Sequence, residues 1–165
     1  MSVRLQDGAE QAVTEEITKA MQDLHNRIIR DLSFAGESAV KKARLIVTAG
    51  GGGSVYPPYT VQTGNLVSSV GYALVYDGQV IRTSSFDAVP GPEGDGTEGS
   101  TKGRAYVKEL AMRYPQGYAL ILVAGMHYAS YVQELHNRDV LVSGQLLAES
   151  LLRNLQQIID EETRR

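Results

Sequence analysis

The cluster to test for chemistry is His127, Glu134 and His136, which brings two imidazoles and a carboxylate within ten residues. A zinc site on one helix uses H-E-x-x-H, two histidines four apart on one face with a glutamate between them. Here the histidines are nine apart and Glu134 stands two residues before the second, so on one helix they would not share a face. The spacing favours surface or interface histidines. A small metal-dependent hydrolase using His127 and Glu134 stands as the alternative from the enzyme class. His25 lies beside Leu24, off the apolar stripe of its helix, and is expected to be solvated. Ser68 and Ser69 sit in neither G-x-S-x-G nor S-x-x-K, the settings of an activated serine. With no cysteine, thiolate metal sites, disulfides and a cysteine nucleophile all drop out, in keeping with a reducing compartment. No catalytic, metal or cofactor residue is assigned, and the chain is read as a non-enzyme.

The run Gly50 to Gly53 with Ser54 could suggest a phosphate loop. A P-loop, however, needs Lys-Ser/Thr after its last glycine, and Ser54-Val55 follows. The run reads as a flexible connection, one that also matches a common engineered linker. The formal net charge is -3 with scattered basic residues, so no Lys/Arg stripe offers itself to phosphates, and sequence-specific nucleic-acid binding is not expected. The N-terminus lacks the apolar core of a signal peptide and no apolar run approaches the ~20 residues that span a bilayer, so a soluble protein without membrane partners is expected. Nine tyrosines against two phenylalanines and no tryptophan suit half-buried contacts between subunits, or equally ordinary strand positions.

The elements that must position these residues follow from periodicity. From Val13 to Ile46 apolar residues recur every three or four positions, through Ile17, Met21, Leu24, Ile28, Leu32, Ala35, Ala39 and Ala43. The stripe keeps phase through Gly36, which favours one long helix over residues 1–49, with two helices folded back on each other as the alternative. After Leu32 the stripe turns to alanines, and Ala35, Ala39 and Ala43 are candidates for close packing on a neighbouring subunit. Residues 50–58 form the linker, stiffened at its end by Pro57-Pro58. Thr63 can cap a short helix ended by Gly71, and Tyr72 to Tyr76 then alternates as a strand. Asp77-Gly78 suits a type I′ turn, and the strand returns from Gln79, so that residues 59–82 make a short helix and hairpin.

Residues 83–104 are rich in glycine and small polar residues and read as a mobile loop, with Phe86, Val89 and Pro90 as candidate interface residues that order against a partner. A helix over Ala105–Tyr114 follows. The continuous apolar run Gly117 to Ala124 reads as a central strand covered on both faces. His127 to His136 reads as a short helix, Asn137 to Val142 as an extended edge, and a last helix capped by Ser143 carries Leu147, Leu151, Leu155, Ile158 and Ile159. The expected fold is α+β in a single domain of 165 residues: a long N-terminal helix and a C-terminal helix on a small antiparallel sheet.

The order of these parts resembles the minor tail, or tail-completion, proteins that join heads and tails of long-tailed bacteriophages. Two short motifs carry the resemblance. Thr63-Gly64-Asn65-Leu66-Val67-Ser68-Ser69-Val70 matches T-G-N-L-x-x-S-[IV]. Tyr128-Ala129-Ser130-Tyr131-Val132-Gln133-Glu134 matches Y-A-x-[YF]-V-E in part, with Gln133 where the family usually has glutamate and Leu135-His136 where it tends to have Gly-Thr. The resemblance implies fold-specifying roles for Thr63, Gly64, Asn65, Leu66, Gly71, Tyr128, Ala129, Tyr131 and Val132. It also implies a structural virion protein of the neck and tail, present in the host cytoplasm during assembly. Its partners would be other copies in a ring, neck or connector proteins, and tail-tube or tail-terminator proteins. A stopper or tail terminator is the neighbouring alternative.

Overall fold

The apolar spacing from Val13 to Ile46 makes one helix: α1 spans Asp7–Thr48, 42 residues, on the order of 60 Å at 1.5 Å per residue. The computed structural model describes residues 7–48, 62–130 and 141–163. The chain divides into two units, Met1–Asp31 and Leu32–Arg165. In the first unit every described side chain from Glu10 to Leu24 is exposed. In the second unit, α1 from Leu32 onward is followed by α2 (Asn65–Ser69), β1 (Val70–Tyr76), β2 (Gln79–Thr83), α3 (Thr97–Ala111), β3 (Tyr118–Ala124) and α4 (Val142–Thr163). The fold is α+β, with a long N-terminal helix, a C-terminal helix and a three-stranded antiparallel sheet.

Asp77 (φ 46°) and Gly78 (φ 78°) both take positive φ, as a type I′ turn demands, and β1 and β2 pair across it with an irregularity between Leu74 and Val75. The Asp77 side chain accepts from the Gly117 N–H at 2.8 Å, and the Asp77 N–H donates to the Gly117 carbonyl at 3.0 Å. These bonds tie the turn to the chain entering β3.

β1 is the middle strand, in the order β2-β1-β3, and its first six residues are all buried. On one face Val70 and Tyr72 pack against Val40 and Ala43 of α1, with Leu120, Leu122 and Leu141 alongside. On the other, Ala73 and Val75 pack with Ile121 and Val123 against Val107 and Ala111 of α3, with Phe86 filling the space between. A third cluster, Val47, Leu66, Val67, Met126 and Ala129, closes the end of the sheet where α2 lies. The expectation of β3 as the central strand is therefore corrected: among the described residues it pairs with β1 alone. A continuous apolar run reports cover on both faces and says nothing of how many neighbours a strand has.

The alanines of α1 serve this core. Ala35, Ala39 and Ala43 are each 1 % exposed, which corrects their assignment to a contact with a neighbouring subunit. α4 approaches them so closely that a Cβ on Gly144 would lie 2.7 Å from the Ala39 carbonyl oxygen. Small side chains here let two helices of one chain meet. α4 begins at Val142, placing Ser143 inside its first turn, where the Gln145 N–H donates to the Leu141 carbonyl at 2.8 Å. The expected linker at 50–58 and the extended segment up to residue 140 lie outside the described residues.

The largest departure is residues 83–104, expected to be mobile. β2 continues into Ser84, whose N–H donates to the Tyr72 carbonyl at 3.0 Å while its hydroxyl accepts from the Tyr72 N–H at 3.0 Å. Phe86 follows in the left-handed region (φ 50°) and is buried. α3 then starts at Thr97, eight residues before the expected Ala105. The glycines of this stretch sit where another chain segment touches them. A Cβ on Gly99 would fall 1.9 Å from the Asn65 carbonyl oxygen, and one on Gly103 would fall 2.7 Å from that of Ser69 and 2.8 Å from the Phe86 ring. Gly99 and Gly103, one turn apart, form the flat face on which α3 lies against α2.

Candidate functional site

The motif from Thr63 to Val70 forms the hub of the second unit, and its polar groups bond to other parts of the chain. Gly64 holds φ 74° and precedes the first turn of α2 as its N-cap; a Cβ there would meet the Val89 carbonyl oxygen at 1.8 Å. Thr63, expected to be the cap, instead accepts a long bond from the Asn65 N–H at 3.4 Å. The positive φ and the closeness of the 84–96 segment place glycine rather than threonine at the cap. The Asn65 side chain bridges two helix starts, donating to Glu98 at 3.0 Å and accepting from the Gly99 N–H at 3.1 Å. Leu66 is buried in the cluster at the end of the sheet.

Ser68 is fully buried. Its hydroxyl donates to the Gly64 carbonyl at 2.8 Å and accepts from the Val89 N–H at 2.8 Å, fastening the 84–96 segment to α2. Ser69, equally buried, donates to the Leu66 carbonyl at 2.8 Å. Both hydroxyls are spent on backbone groups inside the fold. Gly71, expected to end α2, lies inside β1, since α2 already ends at Ser69; a Cβ on it would strike the Phe86 ring at 2.2 Å. Its lack of a side chain makes room for Phe86.

The second motif is described only in part. Tyr128 packs at the rim of the α2 cluster and Ala129 is buried within it. Tyr131 and Val132 lie outside the described residues. So do Glu134 and His136. His127 is exposed and sets its ring edge-on to Tyr128, centroids 5.3 Å apart. Among the described residues no group of three or more His, Cys, Asp or Glu could hold a metal ion. His25, expected to be solvated, is half-buried on α1.

A groove of about 450 Å³ runs between α1 and the 84–96 segment, its charged and polar residues Glu37, Lys41, Arg44 and Asp87 set among apolar ones such as Val40, Leu45 and Val67. Two of its charges, those of Arg44 and Glu37, bond to the fold. Arg44 gives its Nε and Nη2 to the Val70 carbonyl at 3.2 and 2.9 Å, at the point where α2 becomes β1. Burial pulls its guanidinium below its ordinary value, opposed by the charges of Asp87 and Glu37. Glu37 accepts from the Tyr72 hydroxyl at 3.1 Å. Burial, then the Glu37 charge and hydrogen bond, push the Tyr72 phenol up to about 12.

Of the residues expected at an interface, Phe86 is buried in the core between the sheet and α3, Val89 packs at the rim of the α2 cluster and Pro90 is exposed. Arg44 was missed from the sequence because its acceptor is a backbone carbonyl, which no side-chain pattern reveals. The exposed large apolar residues lie elsewhere: Val13, Ile17, Met21 and Leu24 in the first unit, and residues such as Phe34, Leu45, Met112 and Leu146 in the second.

Compared with known proteins, no family model matches the chain. No curated protein and no solved structure matches it either.

Proposed function

We propose that the chain is a structural virion subunit at the neck/tail interface of a long-tailed bacteriophage, a ring subunit that joins or completes the tail during assembly. Its partners in this reading are further copies of itself, neck or connector proteins, and tail-tube or tail-terminator proteins. The reading starts from the T-G-N-L-x-x-S-[IV] resemblance. The observation that carries it is the use to which that motif is put: the Asn65 side chain bonds to Glu98 and Gly99 of α3, and the Ser68 hydroxyl accepts from the Val89 N–H while donating back to Gly64. A motif so engaged specifies a shape, as an assembly subunit requires.

Deleting the gene from the phage that carries it is expected to leave filled heads and separate tails in electron micrographs of infected cells. Normal particles from the deletion would end the proposal. In the same assay His127→Ala is expected to leave joining intact, whereas loss of joining with bound metal in the wild type would favour the hydrolase reading.

A further inference from the structure

On the N-terminal half of α1, Val13, Ile17, Met21 and Leu24 are exposed by 55, 55, 68 and 46 %, and Ile28 is half-buried. From Ile17 the steps are four, three and four residues. That is heptad spacing, the narrow seam that another helix fills knobs-into-holes, rather than the wider stripe that faces a globular core. Isolated helices are marginal in water, and an apolar partner surface is what normally stabilises them.

The charges along this segment choose the partner. Asp7, Glu10, Glu15 and Glu16 give the stretch from residue 7 to 16 a charge of -4, with no cation. From residue 19 to 31, Lys19, Arg27 and Arg30 stand against Asp23 and Asp31, three minus two, for a charge of +1. A parallel pair of such helices would lay acidic end on acidic end. An antiparallel pair lays acidic on basic, and like charges brought together are unfavourable where opposite ones are not. Four of the five seam residues also match under reversal: with the centre between Ala20 and Met21, Val13 falls opposite Ile28 and Ile17 opposite Leu24, while Met21 meets the small Ala20.

We propose that a second copy of this chain packs antiparallel along the Val13–Ile28 seam, making a two-fold pair. The contact is isologous, so it closes on itself. It uses only residues of the Met1–Asp31 unit, and the heterologous contacts of a ring fall to other surfaces. The inference does not depend on the neck reading. With five apolar side chains from each copy the contact is smaller than a standard interface of about 800 Å² per partner, which suits affinity in the micromolar range.

The test is sedimentation of the full chain from about 1 to 100 µM, a range that spans such an affinity. Wild type is expected to rise from 17.9 kDa toward twice that mass, and the Ile17→Glu/Met21→Glu variant to stay at the chain mass with unchanged circular dichroism. Because the chain has no cysteine, direction is read by oxidising a mixture of Val13→Cys and Ile28→Cys proteins, expected to join to each other. A wild type that stays monomeric, or a double variant that associates like wild type, overturns the pair. Val13→Cys joining preferentially to itself overturns the antiparallel arrangement.

Discussion

Gly36 shows how one buried contact outweighs a backbone preference. A mid-helix glycine costs roughly 0.5–1 kcal/mol relative to alanine, so Gly36→Ala would stabilise a free helix. Here the new Cβ would lie 2.6 Å from the Tyr72 ring. That ring is held in place by Glu37 and Ser33 and cannot give way, so overpacking of about 1–3 kcal/mol dominates. Gly36→Ala is expected to lower the denaturation midpoint, and a raised midpoint would show that the ring moves freely. Tyr72 also predicts a pH dependence. Its folded pKa of about 12 lies above the ordinary value near 10 of an unfolded tyrosine. Between those values the unfolded chain releases a proton that the folded one keeps, so the stabilisation is whole below pH 10 and gone by about pH 12. Urea unfolding over this range is expected to show a steeper alkaline loss for wild type than for Tyr72→Phe; equal slopes would contradict the assignment. Ser68→Ala strips the Val89 N–H of its acceptor, at an expected cost of about 1–3 kcal/mol, measurable as a fall in the urea midpoint at constant m-value.

The 84–96 segment and α3 act together at the scale of elements. Composition suggested mobility because small polar residues and glycine bury little apolar area. That argument misses glycine's other use, since a residue without a side chain also lets two backbones touch, and Gly99 and Gly103 do this against Asn65 and Ser69. Single-sequence reading cannot separate the two uses, because the partner segment lies some thirty positions away. Phe86, the one large apolar residue of the segment, is the plug that holds it: its carbonyl accepts from the Ser100 hydroxyl and its ring reaches Gly71 and Gly103. Phe86→Ala is expected to cost about 3–5 kcal/mol. In limited proteolysis the wild-type segment from Ser84 to Gly103 is expected to resist cleavage, and Phe86→Ala to expose it. Rapid cleavage of the wild type there would mean that the contacts do not hold the segment.

At the scale of the whole molecule, the two units call for separate readouts. The Leu32–Arg165 unit holds all three clusters of core residues, and Leu66 sits in the one against α2. Leu66→Asp places a carboxylate among apolar side chains without a partner, which costs more than a domain of this size can absorb. Loss of the cooperative melting transition is the expected result, and an unchanged melt would mean that α2 is not packed on the core. Ile17→Glu lies in the other unit, outside these clusters, and, measured at a concentration below that of the proposed pairing, is expected to leave that transition within about 0.5 kcal/mol of wild type.

The local elements were legible because their causes are local. A 3.6-residue period drew α1 as one helix, and alternation with Asp77-Gly78 drew the hairpin and its turn. The α+β class followed from the order of these pieces. Tertiary structure decided everything that depends on which surfaces meet. It made β1 rather than β3 the middle strand, since face burial does not count neighbours. It turned Ala35, Ala39 and Ala43 from a candidate interface into core, since small residues read alike whether a helix meets its own chain or another. It moved the α2 cap from Thr63 to Gly64, because Val89 leaves no room for a side chain there. For the motif at Thr63 to Val70, the residue types pointed to backbone geometry and packing, and only the fold supplied the partners of Asn65 and Ser68, which lie some twenty to thirty-four positions away in the chain.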